Sequence, residues 1–255
     1  MTHLSVTIIT FNEERNIGRC LASVQGVADE VVVVDSLSTD NTRNICAGYG
    51  VRFIEQAFLG YVEQKNYAID QASHEMILSL DADEALDETL RAEILRIKNE
   101  GFTAADGYTM NRCTNYCGHW IRHGTWYPDR KLRIFHRRKG RFTGVNPHDY
   151  VALEGGGSLL RLKGEILHYS YYNYGEHIAQ LNKFTTIQAS AMHQQGKKAS
   201  LAKLLLSPLA AFVSGYIFRR GFLDGIDGLM IARSVSYQTF AKYAKLRQIW
   251  RQSGR

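Results

Sequence analysis

The sequence is short of most features that settle a protein's class at once. It holds only 3 prolines and 4 cysteines in 255 residues, and Met1 to Ser5 lacks the charged stretch and apolar core of an export signal. A reduced, cytoplasmic protein without a disulfide framework is therefore expected. No internal repeat or low-complexity tract is present. No Gly-x-Gly-x-x-Gly follows the first apolar run, which disfavours dinucleotide binding of the Rossmann kind. The net charge of +6 favours anionic partners such as nucleotides, nucleic acid or an anionic membrane face. No aromatic-basic RNA motif accompanies that charge, so nucleic acid is not expected. The 45% hydrophobic and 22% charged content is that of a globular chain, long enough for one large α/β domain or one domain with an appendage.

What is there centres on Met76-Ile77-Leu78-Ser79-Leu80-Asp81-Ala82-Asp83-Glu84, a buried-strand run that stops at three carboxylates. Asp81 and Asp83, two apart, leave an extended strand end on one side. Carboxylates that close repel, so a proton is held or a cation recruited. Oxygen ligands suit Mg²⁺ or Mn²⁺, which needs only one or two protein carboxylates when substrate phosphates supply the rest. The alternative is an acidic turn that caps the next helix.

Around this run the pattern is β-α-β-α-β-α-β-α. Strands are expected at Leu4 to Thr10, Glu30 to Val34, Val51 to Ile54 and Met76 to Leu80. Between the first two, Asn12 is expected to cap a helix whose inner face is Ile17, Cys20, Leu21 and Val24. Asp87 caps another, with Leu90, Ile94 and Ile97 inward. Such alternation specifies a mostly parallel, doubly wound sheet whose ligands bind at the carboxyl ends of its strands. The polar clusters Thr10 to Glu13, Asp35 to Asp40 and Asp81 to Glu84 all fall there. From Gly107 strand-like segments continue in antiparallel or mixed order, and from His177 the chain turns helical. Cys113 and Cys117, with His119 and His123 nearby, are also compatible with zinc.

The set Thr10-Phe11-Asn12-Glu13-Glu14, Val31 to Ser36, Gln64-Lys65-Asn66 and Leu80 to Glu84 resembles family 2 glycosyltransferases of GT-A fold. The branch most similar is that of bacterial lipopolysaccharide-core β-glycosyltransferases, through Lys131 to Phe135, Phe142 to Asp149 and His168 to Tyr171. The resemblance implies an inverting, metal-dependent enzyme that moves a hexose, glucose for example, from a UDP-sugar to a lipid-linked or lipopolysaccharide-core saccharide. It implies a nucleotide-sugar half over 1–106, an acceptor-side mixed β region over 107–176 and a helical region over 177–255. Thr10, Asn12, Glu13, Asp35, Gln64, Lys65, Asn66 and Asp81 would line the donor pocket. Asp81 and Asp83 would hold Mg²⁺ or Mn²⁺, with His168 a further ligand or a satisfied core histidine. Asp149 stands where the family commonly has Glu and is taken as the base, with His148 orienting it. The Gln-x-x-Arg-Trp motif of processive relatives is missing, so a single sugar is added. A sugar-nucleotide pyrophosphorylase and a non-catalytic scaffold are the alternatives.

Two further stretches carry open readings. Arg137-Arg138-Lys139 with Arg141 is a solvated basic turn or a contact to acceptor phosphates. Leu204 to Phe218 has no charge and is flanked by Lys197, Lys198, Lys203, Arg219 and Arg220. It reads as a helix in the membrane interface, placing the protein peripherally on the inner face of the cell membrane, or as a helix in packing or dimer contact.

Overall fold

Leu4, Val6 and Ile8 alternate with Ser5 and Thr7, and all five are buried. A strand covered on both faces belongs inside a helix-flanked sheet, and β1 (Leu4–Thr10) has parallel partners on both edges, β2 (Glu30–Asp35) and β4 (Met76–Asp81). The structure is a computed structural model that describes residues 2–145 and 148–253, with the side chains of Val145 and His148 outside the description. The crossover helices are α1 (Ile17–Val24), α2 (Thr42–Ala47) and α3 (Tyr61–Gln71), and β3 (Arg52–Glu55) extends the parallel set beyond β2. After β4 come the short β5 (Glu84–Leu86) and α4 (Glu88–Asn99). The second half adds β6 (Gly107–Tyr116), β7 (His119–Ile121), β8 (Asp129–His136), the hairpin β9 (Gly140–Val145) and β10 (His148–Leu153), and the long β11 (Leu159–Tyr171). The main sheet runs β3-β2-β1-β4-β8-β6-β11-β5, antiparallel where β8 joins β4. This is the mixed α/β, GT-A-like layout that the sequence implied.

Helices cover both faces because the strands are apolar on both. Ile17, Leu21 and Val24 of α1 and Leu90, Ile94 and Ile97 of α4 pack with Leu4, Val6 and Ile8. Val32, Val34 and Ala68 form one cluster on the α3 side, and Ile69, Ile77, Phe135 and Phe142 another. Asp87 caps α4 as expected, its Oδ1 accepting from the Leu90 N–H at 2.7 Å while Oδ2 accepts from Glu165 N–H at 3.0 Å.

Asn12 does not cap α1. Its backbone is left-handed at φ 53°, and the helix begins only at Ile17. Asn12 is used elsewhere: its side-chain Oδ1 accepts from Thr39 N–H at 2.8 Å, and its backbone N–H donates to Ser38 Oγ at 2.8 Å. A tie to a loop 27 residues away outweighs the local cap.

The chain forms two compact units, Met1–Arg112 with Asp129–Tyr169, and Cys113–Pro128 with Ser170–Arg255. The second holds the β6 end paired with β7, and the helices α5 (Tyr174–Gln194), α6 (Leu201–Val213) and α7 (Gly225–Ser253). A π-helical turn, Ser214–Phe218, and a 3₁₀ turn, Gly221–Asp224, join the last two. Asp224 fastens this corner by accepting from the N–H groups of Arg122 and His123, at 3.1 and 2.8 Å. Gly228 is obligatory there, since a Cβ would lie 1.9 Å from the Gly221 carbonyl oxygen. His177 is buried among the rings of Tyr116, Trp126, Tyr171 and Tyr174, and burial lowers its pKa from 6.5 to about 4.

Candidate active site

Parallel pairing aligns the strand ends that carry the polar clusters. Thr10 lies opposite Asp35 and Ile9 opposite Asp81, so β1, β2 and β4 deliver their acids to one edge of the sheet. On the β2 side, Asp35 is buried and both its oxygens accept from Ser38, one from the N–H at 2.7 Å and one from the hydroxyl. That closes the loop to which Asn12 is tied. Gln64 of α3 donates to Ser36 Oγ at 3.2 Å and to the Gln56 carbonyl at 3.1 Å. Thr10 Oγ1 and Gln64 Oε1 are buried here without a hydrogen-bond partner among the described residues. Buried polar atoms of this kind are few in proteins and invite a ligand or water.

The β4 end is an ion network. Lys65 Nζ stands 2.9 Å from Asp81 Oδ1, and Arg133 Nη2 of β8 stands 3.1 Å from Asp81 Oδ2. Burial alone would raise the Asp81 pKa, but these two cations hold it far below the ordinary carboxylate range. Burial likewise opposes the Lys65 charge, and Asp81 and Asp149 overcome it, leaving its pKa raised. Glu84 is fully committed, with Oε1 on Arg133 at 2.7 Å and Arg112 at 3.2 Å while Oε2 accepts from Asp81 N–H at 3.0 Å. Pairing of β5 with β11 sets His168 opposite Glu84, and its Nε2 lies 3.1 Å from Asp83 Oδ2. Glu13 is the acid of this edge whose pKa is pushed upward. Burial foremost, then the charges of Asp83, Asp40 and Asp81, raise its pKa to about 7, against a hydrogen bond from Asn16.

The third component is the β9–β10 hairpin. Asn66 of α3 grips it with both ends of its amide, Nδ2 donating to the Phe142 carbonyl and Oδ1 accepting from Phe142 N–H, each at 2.9 Å. One residue earlier, Lys65 donates to Asp149 Oδ2 of β10 at 2.9 Å. A single ammonium thus joins the β4 acid to the hairpin acid. His148, expected to orient Asp149, has its side chain outside the described residues.

The family model described as "Glycosyl transferase family 2" matches residues 5–153, more than half of the chain. The chain belongs to that family. A lipopolysaccharide core biosynthesis glycosyltransferase, LpsC of Rhizobium meliloti, is 33% identical over 96% of this chain and 92% of its own. An uncharacterized glycosyltransferase of Rickettsia typhi is 30% identical over 98% of this chain and 88% of its own. Among solved structures, S. aureus TarS 1-349 in complex with UDP-GlcNAc is 17% identical, with a TM-score of 0.47, covering 99% of this chain and 92% of that one. Family membership sets aside the pyrophosphorylase and scaffold alternatives.

In this family 2 glycosyltransferase the basic turn is a solvated one whose exposed cations carry surface ion pairs. Arg138 pairs with Glu75, Lys139 with Asp106 and Arg141 with Asp70, while Arg137 donates to the carbonyls of Ala72 and Asp70. The zinc reading fails as well. Cys113 is buried with Sγ 3.4 Å from the Ile121 carbonyl, Cys117 is exposed, and the His123 ring is bound to Asp224. No group of three or more His, Cys, Asp or Glu that could hold a metal ion occurs among the described residues. Of the residues expected to hold a metal, Asp81 has its two oxygens on Lys65 and Arg133, and Asp83 lies 3.1 Å from His168. Sequence reasoning missed Arg133 and Arg112 as the buried counter-charges of Asp81 and Glu84. Three acids within four residues required such partners, yet nothing in Lys131-Leu132-Arg133 says which cation turns inward.

Proposed function

We propose that this family 2 glycosyltransferase is inverting and metal-dependent, moving one hexose, glucose for example, from a UDP-sugar to a lipid-linked or lipopolysaccharide-core saccharide. The observation that carries this is Lys65, 2.9 Å from Asp81 on the β4 side and from Asp149 on the hairpin side. A carboxylate one ammonium away from the strand-end acids is within reach of a hydroxyl that attacks a sugar held there. Asp149 takes the proton of the acceptor hydroxyl as its oxygen bonds to the anomeric carbon, and the bond to the nucleoside diphosphate breaks on the opposite face. Thr10 and Gln64, with unsatisfied buried oxygens, and the loop closed by Asp35 and Asn12 form the nucleotide side. Lys65 neutralises charge between the two groups, and Asn66 holds the hairpin that delivers Asp149. Asp81, Asp83 and His168 would hold Mg²⁺ or Mn²⁺, which when bound offsets the charge that builds on the departing diphosphate. The acceptor class is supported by the 33% identity to LpsC. Work on a lipid-linked acceptor takes place in the cytoplasm at the inner membrane face.

The test is thermal unfolding with UDP, GDP and their sugars, with and without Mn²⁺. A ligand at 100 times its dissociation constant adds about 2.7 kcal/mol. UDP should stabilise the protein with Mn²⁺ and far less without it, and Asp83→Ala should erase the difference. Equal stabilisation with and without the ion would remove the metal from the account.

A further inference from the structure

We infer that the helical unit docks flat on an anionic lipid bilayer through one composite apolar surface, made by α6, the π-helical turn and the start of α7. This rests on the proposed function for its purpose, because a lipid-linked acceptor lies at such a surface, but not for its evidence.

The residues from Leu201 to Phe218 form a continuous helical stretch with a mean hydropathy of 1.7, of which 6% is buried. Leu205 is 65% exposed, Leu209 61%, Phe218 78% and Ile226 77%. Single exposed leucines are ordinary, but a whole uncovered helix face is a contact surface. The sequence alone marked only Leu204 to Phe218. The structure extends the surface through Phe222, Leu223 and Ile226, because the chain reverses tightly over Gly221 and Gly228.

By length and composition Leu201 to Phe218 is long and apolar enough to cross a membrane, so what packs against it decides between a span and a flat helix. Its other side is taken by antiparallel α7, where Ser236 Oγ donates to the Pro208 carbonyl at 2.9 Å and Arg233 lies over the Phe212 ring. A spanning α6 would draw exposed Arg233 into hydrocarbon. Lying flat, it keeps Arg233 and the rest of α7 beyond its first turn on the water side.

Charge decides the occupant. Lys197 and Lys198 precede the surface, Lys203 lies in its first turn, Arg219 and Arg220 interrupt it before Phe222, and all are exposed. Of the nearby acids, Asp224 is buried on Arg122 and His123, and Asp227 is half-buried beside His119. A second copy of this chain would set these cations against their own kind, whereas anionic headgroups complement them.

The experiment is co-sedimentation of the full chain with phosphatidylcholine vesicles that contain or lack phosphatidylglycerol, without donor or acceptor. Binding should require phosphatidylglycerol and weaken with salt. Each cation near the surface adds about five-fold to partitioning, so R219E/R220E should lose at least about ten-fold and R219K/R220K little. L205E/L209E should abolish binding. Equal sedimentation with neutral vesicles, or unchanged binding by R219E/R220E, overturns the inference. So does a dimer in light scattering that L205E/L209E dissociates while vesicle binding persists. Arg219 and Arg220 are exposed, so their variant carries the test if L205E/L209E does not fold. Stabilisation by UDP and Mn²⁺ is read on the same preparations. Its loss would count against the proposed function, and loss of vesicle binding alone against this surface.

Discussion

Lys65 shows how one residue serves both the fold and the site. Its side chain is 6% exposed, and its charge survives burial only because two carboxylates stand 2.9 Å away. Removing the ammonium leaves both acids partly buried with reduced compensation. Breaking one member of a buried ion pair costs about 3–5 kcal/mol, and Arg133 still supports Asp81. Lys65→Met should therefore lower unfolding stability by about 3 kcal/mol in a denaturant titration. A loss under about 1 kcal/mol would mean that the Lys65 bridge contributes little to folding. The Gln64-Lys65-Asn66 run stood out in the sequence, but the partner of each residue was not legible. Gln64 points to the β2 loop, Lys65 to the acids and Asn66 to the hairpin, each to a partner distant in sequence.

At the scale of elements, local pattern marked Asp149 to Leu153 of β10 and Glu165 to Tyr169 of β11 but missed β9, β5 and the first half of β11. Strands β1, β2 and β4 were legible because continuous apolar runs ending in acids have few other uses. β9 and β5 were not, since β9 is held by Asn66 and β5 exists only by pairing with β11. Two consequences can be measured. Asn66→Ala leaves Phe142 N–H and C=O without partners. It should cost about 1–3 kcal/mol, and transfer should fall while donor affinity holds. Unchanged transfer would show that the hairpin needs no such grip. Gly164 of β11 has φ 87°, and a Cβ there would meet Leu90 N at 2.3 Å and Asp87 Oδ1 at 2.6 Å. Gly164→Ala should destabilise by about 3 kcal/mol or more, because the strain also disrupts the α4 cap. Near-native stability would mean that β11 shifts there without cost.

For the whole molecule, the α/β order and the acid-bearing edge were legible from strand patterning, and the family from the resemblance of its motifs. The division of the second half was not, because residues 113–128 join helices that begin more than forty positions later. His177 of that helical unit gives stability a pH dependence. Its pKa is lowered to about 4 in the fold, so the unfolded chain binds its proton first as pH falls. Its contribution is complete above about pH 6.5 and is lost between about 6.5 and 4, amounting to at most about 3 kcal/mol. His177→Phe should flatten that part of the stability curve, read as unfolding midpoint against pH. An unchanged slope would assign the dependence to other groups.

Asp149 is proposed as the base of a sugar transfer whose donor is held at the β4 end. Single-turnover transfer and donor affinity, measured together on wild type and Asp149→Asn, test it most directly. General-base help is worth about 10²–10⁴-fold. The account predicts a transfer rate lower by that factor with donor affinity nearly unchanged. Transfer within a few-fold of wild type would contradict it, as would a loss confined to donor affinity.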